Sequence, residues 1–401
     1  MRRLEGRVRH YAWGSRTALA QLQGRPAPTA RPEAELWLGA HPTAPALLGG
    51  PAGGVPLTDA LAADPAGLLG PACLAGFGPR LPFLLKVLAA DQPLSLQAHP
   101  DAAQAATGFA AEEAAGVPRD APHRTYADAW HKPELLVAVS DFEALCGFRD
   151  PRRSADLLAA LDVPALADVV EALTTGGPAT GLRAAVRQLL TMPAEWCARA
   201  VPAVVAAAER LSAAHPTYAL AGRLAPSYPA DAGIVVAMLL NLVRLAPGEG
   251  VWMPAGNLHA YVAGVGVEIM AASDNVLRGG LTPKHVNVPE LLRVLRFEVL
   301  ADPVVRPRPL AAGLAAWPVP VADFALIRAR ADGPPIELPG TGPRVLLCLA
   351  GSVRCREAGG PAAGSSLGTL ALARGQAAFV PAGAGPVTVA GRGELYQASV
   401  G

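Results

Sequence analysis

Apolar positions along the chain follow two different periods, and the switch between them outlines its organisation. Residues 1–100 read as short strands separated by turns. Leu81 to Leu88 is an apolar run around Lys86, and Pro93 to His99 alternates apolar and polar positions. That alternation puts Gln97 and His99 on one face of an extended segment. Residues 101–117 are rich in Ala and Glu and predict a helix. From Ser154 to Leu245 the spacing becomes helical, with Leu157, Leu158 and Leu161 followed by Val169, Val170 and Leu173. Pro and Gly cut this stretch into about five helices, with Ser154 and Asp231 as N-cap candidates. Strand-like sequence returns at Gly248 and again from Asp323 to the end.

The two strand-rich regions share a motif. Gly248-Glu-Gly-Val-Trp-Met-Pro-Ala-Gly256 matches Gly375-Gln-Ala-Ala-Phe-Val-Pro-Ala-Gly383 at a constant offset of 127 residues (375 − 248 and 383 − 256). Two small antiparallel barrels of the jelly-roll or cupin kind would produce such a repeat. His259 falls opposite Pro386, so the second copy lacks that histidine. The expected architecture is mainly β with an α insertion. A cupin-type catalytic barrel takes residues 1–150 and 246–300, an all-helical insertion takes 151–245, and a second jelly-roll barrel takes 301–401.

Composition narrows the partners. The 401 residues are 51% hydrophobic and carry a net charge of +1, so no global field holds nucleic acid or a membrane surface. No stretch predicts a transmembrane helix, and no apolar leader follows Met1-Arg2-Arg3. Five cysteines form no CxxC pair, as expected of a reducing cytosol. A cytoplasmic monomer is expected.

Lysine usage locates the chemistry. Only Lys86, Lys132 and Lys284 occur, so 31 of the 34 Lys and Arg residues are arginine (34 − 3). A lysine kept against that bias points to a compact cation or a titrating amine. Each lies close to a candidate metal ligand, and the four asparagines (Asn241, Asn257, Asn275, Asn287) cluster similarly. Gln97, His99, Glu134 and His259 make a mixed N/O set suited to one zinc ion or another divalent ion, with an open position left over. Glu268, Asp274, Arg278, Lys284 and His285 follow as a second constellation, with glycines beside Arg278 that admit a ligand closely.

Several long motifs are similar to a known family. Leu81-Pro-Phe-Leu-Leu-Lys86, Gln92-Pro-Leu-Ser-Leu-Gln-Ala-His-Pro-Asp101, His131-Lys-Pro-Glu134, Pro254-Ala-Gly-Asn-Leu-His-Ala-Tyr261 and Ser273-Asp-Asn-Val-Leu-Arg-Gly-Gly-Leu-Thr-Pro-Lys284 together resemble type I mannose-6-phosphate isomerase. Tyr11-Ala-Trp-Gly14 and Glu35-Leu-Trp-Leu-Gly39 resemble its N-terminal signatures. The resemblance covers residues 7–300. It implies a zinc site at Gln97, His99, Glu134 and His259, and active-site roles for Lys132, Glu268, Arg278 and Lys284.

The implied reaction interconverts mannose 6-phosphate and fructose 6-phosphate. A proton moves between C2 and C1 through a cis-enediol while a cation beside the carbonyl oxygen stabilises the enediolate. Glu268 and Lys284 are candidates for the base, with His131 and Lys132 as rivals. Arg278 suits negative charge because it does not titrate. Ser95, with Lys86 or Arg278, is expected at the phosphate. Two competing classes are a cupin dioxygenase, which favours two histidines and one carboxylate around iron, and a non-catalytic sugar-binding barrel.

Overall fold

The structure is a computed structural model that describes residues 1–49, 53–357 and 368–401. It is mainly β, with two eleven-stranded sheets whose named strands pair antiparallel, and eleven α-helices among the described residues. No single helix is long and apolar enough to cross a membrane.

The first sheet is built around the long strand His259–Ala271, flanked by Phe83–Ala90 on one side and Glu134–Ala138 on the other. Period-2 alternation divides each strand between two environments. In Phe83–Ala90, the residues Phe83, Leu85, Val87 and Ala89 enter an apolar layer. Leu84, Lys86 and Leu88 turn the other way, toward a cavity. The apolar layer is shared with the second sheet: Leu36, Leu85, Val267 and Ile269 pack in the same cluster as Val345, Leu347, Phe379 and Ala398. Burying about 100 Å² or more per large side chain makes such a layer worth several kcal/mol.

The 127-residue offset persists in three dimensions. Strand Gly250–Met253 corresponds to strand Ala377–Val380, and Gly248 and Gly375 both take positive φ, 94° and 79°. Strands His259–Ala271 and Val387–Ser399 each run 13 residues. The N-terminal strand does not follow the chain order. Arg2–Glu5 pairs with Ala377–Phe379 of the second sheet and also with Leu47–Leu48. The sequence pattern carried no sign of this pairing, because a four-residue strand fixes no partner by itself.

Residues 151–237 hold six α-helices and the 3-10 turn Pro164–Leu166, one more helix than the punctuation predicts. Ser154 lies inside the helix Pro151–Ala159, and Asp150 caps it by accepting from the N–H groups of Arg152 and Arg153. Pro151 at the first helical position moves the start forward. The helices' apolar faces gather with Leu96, Ala98, Leu258, Ala260 and Leu277, so the helical core is continuous with the back of the first sheet.

Candidate active site and metal centre

Three buried side chains converge. His99, Glu134 and His259 each aim one ligand atom at a common point, and those atoms lie within 4.8 Å of one another. His99 follows the two-residue strand Gln97–Ala98, and the alternate residues Leu96 and Ala98 are anchored in the helical core. Glu134 opens a strand directly after Pro133. His259 opens the long central strand and pairs with Gln97 across the sheet.

The hydrogen-bond pattern shows which atoms of the cluster face the common point. His99 Nδ1 donates to the Asn275 carbonyl at 2.7 Å, and His259 Nδ1 donates to the Asn257 carbonyl at 3.0 Å. A ring nitrogen facing a carbonyl carries the hydrogen, so both Nε2 atoms present lone pairs. Burial pushes His99 down to about 4, against the pull of Glu134, which keeps the ring neutral. His99 Nε2, His259 Nε2 and Glu134 Oε2 are all buried without a hydrogen-bond partner. Glu134 Oε2 lies 3.4 Å from His99 Nε2 and 3.3 Å from His259 Nε2, acceptor facing acceptor. Three buried acceptors with no donor are costly unless a cation joins them. Two imidazoles and a carboxylate fit a divalent ion of zinc type, and Gln97, opposite His259 in the sheet, is placed to supply an amide oxygen.

A cavity of about 520 Å³ opens beside this cluster. Gln97, Glu134, Lys132, Lys86, Glu268, Ser95, Arg278 and Lys284 all line it. His131 does not. Its Nε2 lies 2.9 Å from Asp323 Oδ2 in the C-terminal part of the chain. Consecutive side chains in an extended segment point to opposite faces, so Lys132 and His131 cannot share the cavity. A second cavity, of about 460 Å³, shares Leu84 and Asp274 with the first but none of the metal cluster.

The floor of the cavity is an ionic network. Lys86 Nζ donates to Glu268 Oε2 at 3.0 Å and lies 3.5 Å from Glu35 Oε1. Tyr261 donates to Glu268 Oε1 at 2.6 Å. Burial alone would lower the Lys86 amine, but Glu268 and Glu35 hold it above the ordinary lysine range. Burial likewise lifts the Glu268 carboxyl, with Lys86 opposing. Two carboxylates already meet the charge of Lys86, which leaves it poorly suited to the phosphate role expected from sequence. Lys86→Met is expected to strip compensation from two buried carboxylates and cost about 3–5 kcal/mol. A denaturation midpoint equal to that of the native protein would contradict the pairing.

Arg278 and Lys284 differ from Lys86. No carboxylate among the described residues ion-pairs with either. Burial lowers Arg278, while the Arg278 charge, then burial, lowers Lys284. Two adjacent cations with no counter-ion, at the rim of a cavity, form a site for an anion.

A bulge explains how one strand supplies so much of the wall. Register shifts between Tyr261 and Ala263. The extra residue reverses the alternation, so His259 and Tyr261 before it, and Glu268 and Met270 after it, face the same side. Sequence reasoning missed several residues that join them. Glu35, Trp37, Tyr11 and Trp13 line the cavity from motifs quoted above only as signatures, and Tyr228 reaches it from the helical region. His41 Nε2 bonds Asp274 at 2.9 Å, a link across 233 residues that no local pattern could show.

Comparison with known proteins agrees with this geometry. A family model described as Phosphomannose isomerase type I, catalytic domain, matches residues 1–151. The chain is 38% identical over 401 residues to Mannose-6-phosphate isomerase of Escherichia coli (strain K12), covering 99% of each. It is 31% identical to Mannose-6-phosphate isomerase of Bos taurus, covering 94% of this chain and 92% of that one. Among solved structures, the mannose 6-phosphate isomerase from Salmonella typhimurium bound to fructose 6-phosphate and zinc superposes with a TM-score of 0.89 at 35% identity, covering 100% and 99% of the two chains. The K86A mutant of the Salmonella typhimurium enzyme superposes at 0.90 with 36% identity and the same coverage. The fold, the clustered ligand atoms and near-complete alignment together establish that the chain belongs to the type I mannose-6-phosphate isomerase family.

Proposed function

We propose that this chain is a zinc-dependent aldose–ketose isomerase that interconverts mannose 6-phosphate and fructose 6-phosphate. The observation that carries the reading is one cavity lined by Glu134 of the three-acceptor cluster and, with it, by Arg278 and Lys284, which have no carboxylate partner among the described residues. The first fits a Lewis-acidic ion and the second fits a phosphate dianion, and a hexose phosphate spans the two.

His99, Glu134 and His259 would hold the ion, with Gln97 as a fourth ligand. When bound, the ion supplies positive charge beside the reacting sugar oxygens. Arg278 and Lys284, with the Ser95 hydroxyl, bind the phosphate and so fix the position of C1 and C2. Lys132 Nζ, 3.2 Å from Glu134 Oε1, steadies the carboxylate and presents a proton donor on the same wall. Glu268 is the preferred carrier of the proton between C2 and C1. Its burial makes it more basic than a solvated carboxylate, and Tyr261 and Lys86 hold both of its oxygens in place. A cis-enediol follows from one base serving both carbons on one face. His131, tied to Asp323, has no part in this chemistry.

The two sheets are read as cupin-type barrels, with residues 1–150 and 246–300 for the catalytic unit, 151–245 for the helical insertion and 301–401 for the second barrel. The hydrogen bonds of Arg2–Glu5 to the second sheet qualify the first boundary. Free cysteines suit a reducing cytosol.

Incubation with mannose 6-phosphate in deuterated water tests the reaction. Fructose 6-phosphate carrying deuterium at C1 is the expected product. Binding of the sugar phosphate without isomerisation would overturn the reading.

A further inference from the structure

The helical insertion contributes to the wall of the cavity. Tyr228, which follows the helix Pro216–Leu224, lines it together with Arg278, Thr282 and Lys284. Its backbone N–H bonds to Leu224 and Ala225, but its hydroxyl has no protein partner among the described residues. Three residues later, Asp231 bridges the insertion and the cation-bearing loop. Oδ1 accepts from the Gly233 N–H at 2.7 Å, and Oδ2 accepts from the Thr282 N–H at 3.1 Å.

The docking is close enough to need glycine on both sides. A Cβ added to Gly280, whose φ is +116°, would lie 2.6 Å from the Gly233 Cα. A Cβ on Gly233 would lie 2.6 Å from the Leu281 nitrogen. Backbone meets backbone here, so the segment 278–284 cannot shift without the end of the insertion shifting too. Asp231 forms no ion pair among the described residues, so its carboxylate is committed to these two N–H groups.

We infer that the helical insertion selects for the phosphate group, with Tyr228 donating its hydroxyl to the phosphate bound at Arg278 and Lys284, and Asp231 acting as the positioning residue that fixes that loop. The inference rests on the sugar-phosphate reading above. Burial, assisted by Asp231, raises the Tyr228 phenol, so it remains a donor at neutral and mildly alkaline pH. A phenol donor beside two cations favours a dianion over a neutral hydroxymethyl group, which is how the same cavity would reject unphosphorylated hexose.

The test compares Tyr228→Phe and Asp231→Asn with the native protein, using fructose 6-phosphate and unphosphorylated fructose in calorimetric titrations and in isomerase assays. Tyr228→Phe is expected to weaken fructose 6-phosphate binding about tenfold to a hundredfold, with the loss larger in KM than in kcat, and to leave fructose binding unchanged. Asp231→Asn is expected to move in the same direction with unaltered zinc content. Equal effects on both sugars, or none on either, would overturn the inference. A native protein that binds fructose 6-phosphate without isomerising it would overturn the functional reading alone, and a selective loss in Tyr228→Phe would still support the phosphate contact.

Discussion

Replacing His259 with alanine is expected to lower kcat/KM for mannose 6-phosphate by about a thousandfold or more. The magnitude follows from what the side chain does. His259 is fully buried at the start of the central strand, and its Nδ1 hydrogen bond to Asn257 dedicates Nε2 to the cluster. Removing it leaves His99, Glu134 and the neutral amide of Gln97, so the set loses one of its two imidazoles and an ion held there exchanges more readily with solvent. Without that positive charge, the proposed enediolate would face the Glu134 and Glu268 carboxylates. The substitution leaves the strand pairing of residue 259 with Gln97 and Cys146 in place, so the variant should still fold. The check is a steady-state assay of zinc-loaded native and variant protein with parallel metal analysis. A His259→Ala protein that keeps about a tenth of native activity without bound metal would refute the role.

Arg278→Ala should produce the second largest loss, of a different kind. The guanidinium is one of two cations at the rim and has no carboxylate partner among the described residues, so its charge is available to a dianion. Charge-assisted hydrogen bonds contribute about 1.5–3 kcal/mol each, and a bidentate contact makes two of them, giving roughly a hundredfold to ten-thousandfold loss in kcat/KM. The loss should fall on phosphorylated sugars, since unphosphorylated ones never used the contact. A second readout follows from the neighbour. Arg278 is the main cause that lowers Lys284. A lysine with a depressed value is ammonium at low pH and loses its charge early as pH rises, so phosphate binding in the native protein should weaken at lower pH than an ordinary lysine would give. Removing Arg278 should move that alkaline limb upward. A pH profile that stays fixed while affinity drops would show that the two cations do not share a site.

The cluster of His99, Glu134 and His259 was the most legible part of the molecule, for a physical reason. Gln97 and His99 lie on a short extended segment where period 2 decides facing, and Glu134 and His259 sit at strand starts marked by Pro133 and Pro254-Ala-Gly256. Scarcity of lysine and asparagine helped again, since Asn275 both orients His99 through its carbonyl and ties down residues 127–130 through its side chain. Facing failed wherever it depended on more than local alternation. His131 and Lys132 are adjacent and equally polar, and only the contact with Asp323 shows which one turns from the cavity. Lys86 reads as a free cation until Glu35, some fifty residues earlier, appears next to it across the sheet. Glu268 shares a side with His259 only because of the bulge at Tyr261, an irregularity without a sequence signature in a run of Val, Ala and Gly. Tyr228 lay in a helical stretch whose own pattern reports packing alone, and its exposure to the cavity arises from tertiary docking. The strand Arg2–Glu5 illustrates the same limit for topology, since one of its two partners lies beyond residue 370.

X-ray absorption at the zinc edge of the loaded protein tests the metal cluster most directly. The structure predicts an innermost shell of nitrogen and oxygen at about 2.0–2.2 Å, with the outer scattering of two imidazoles. A sulfur shell near about 2.3 Å, or protein that binds no zinc while isomerising its substrate, would contradict it.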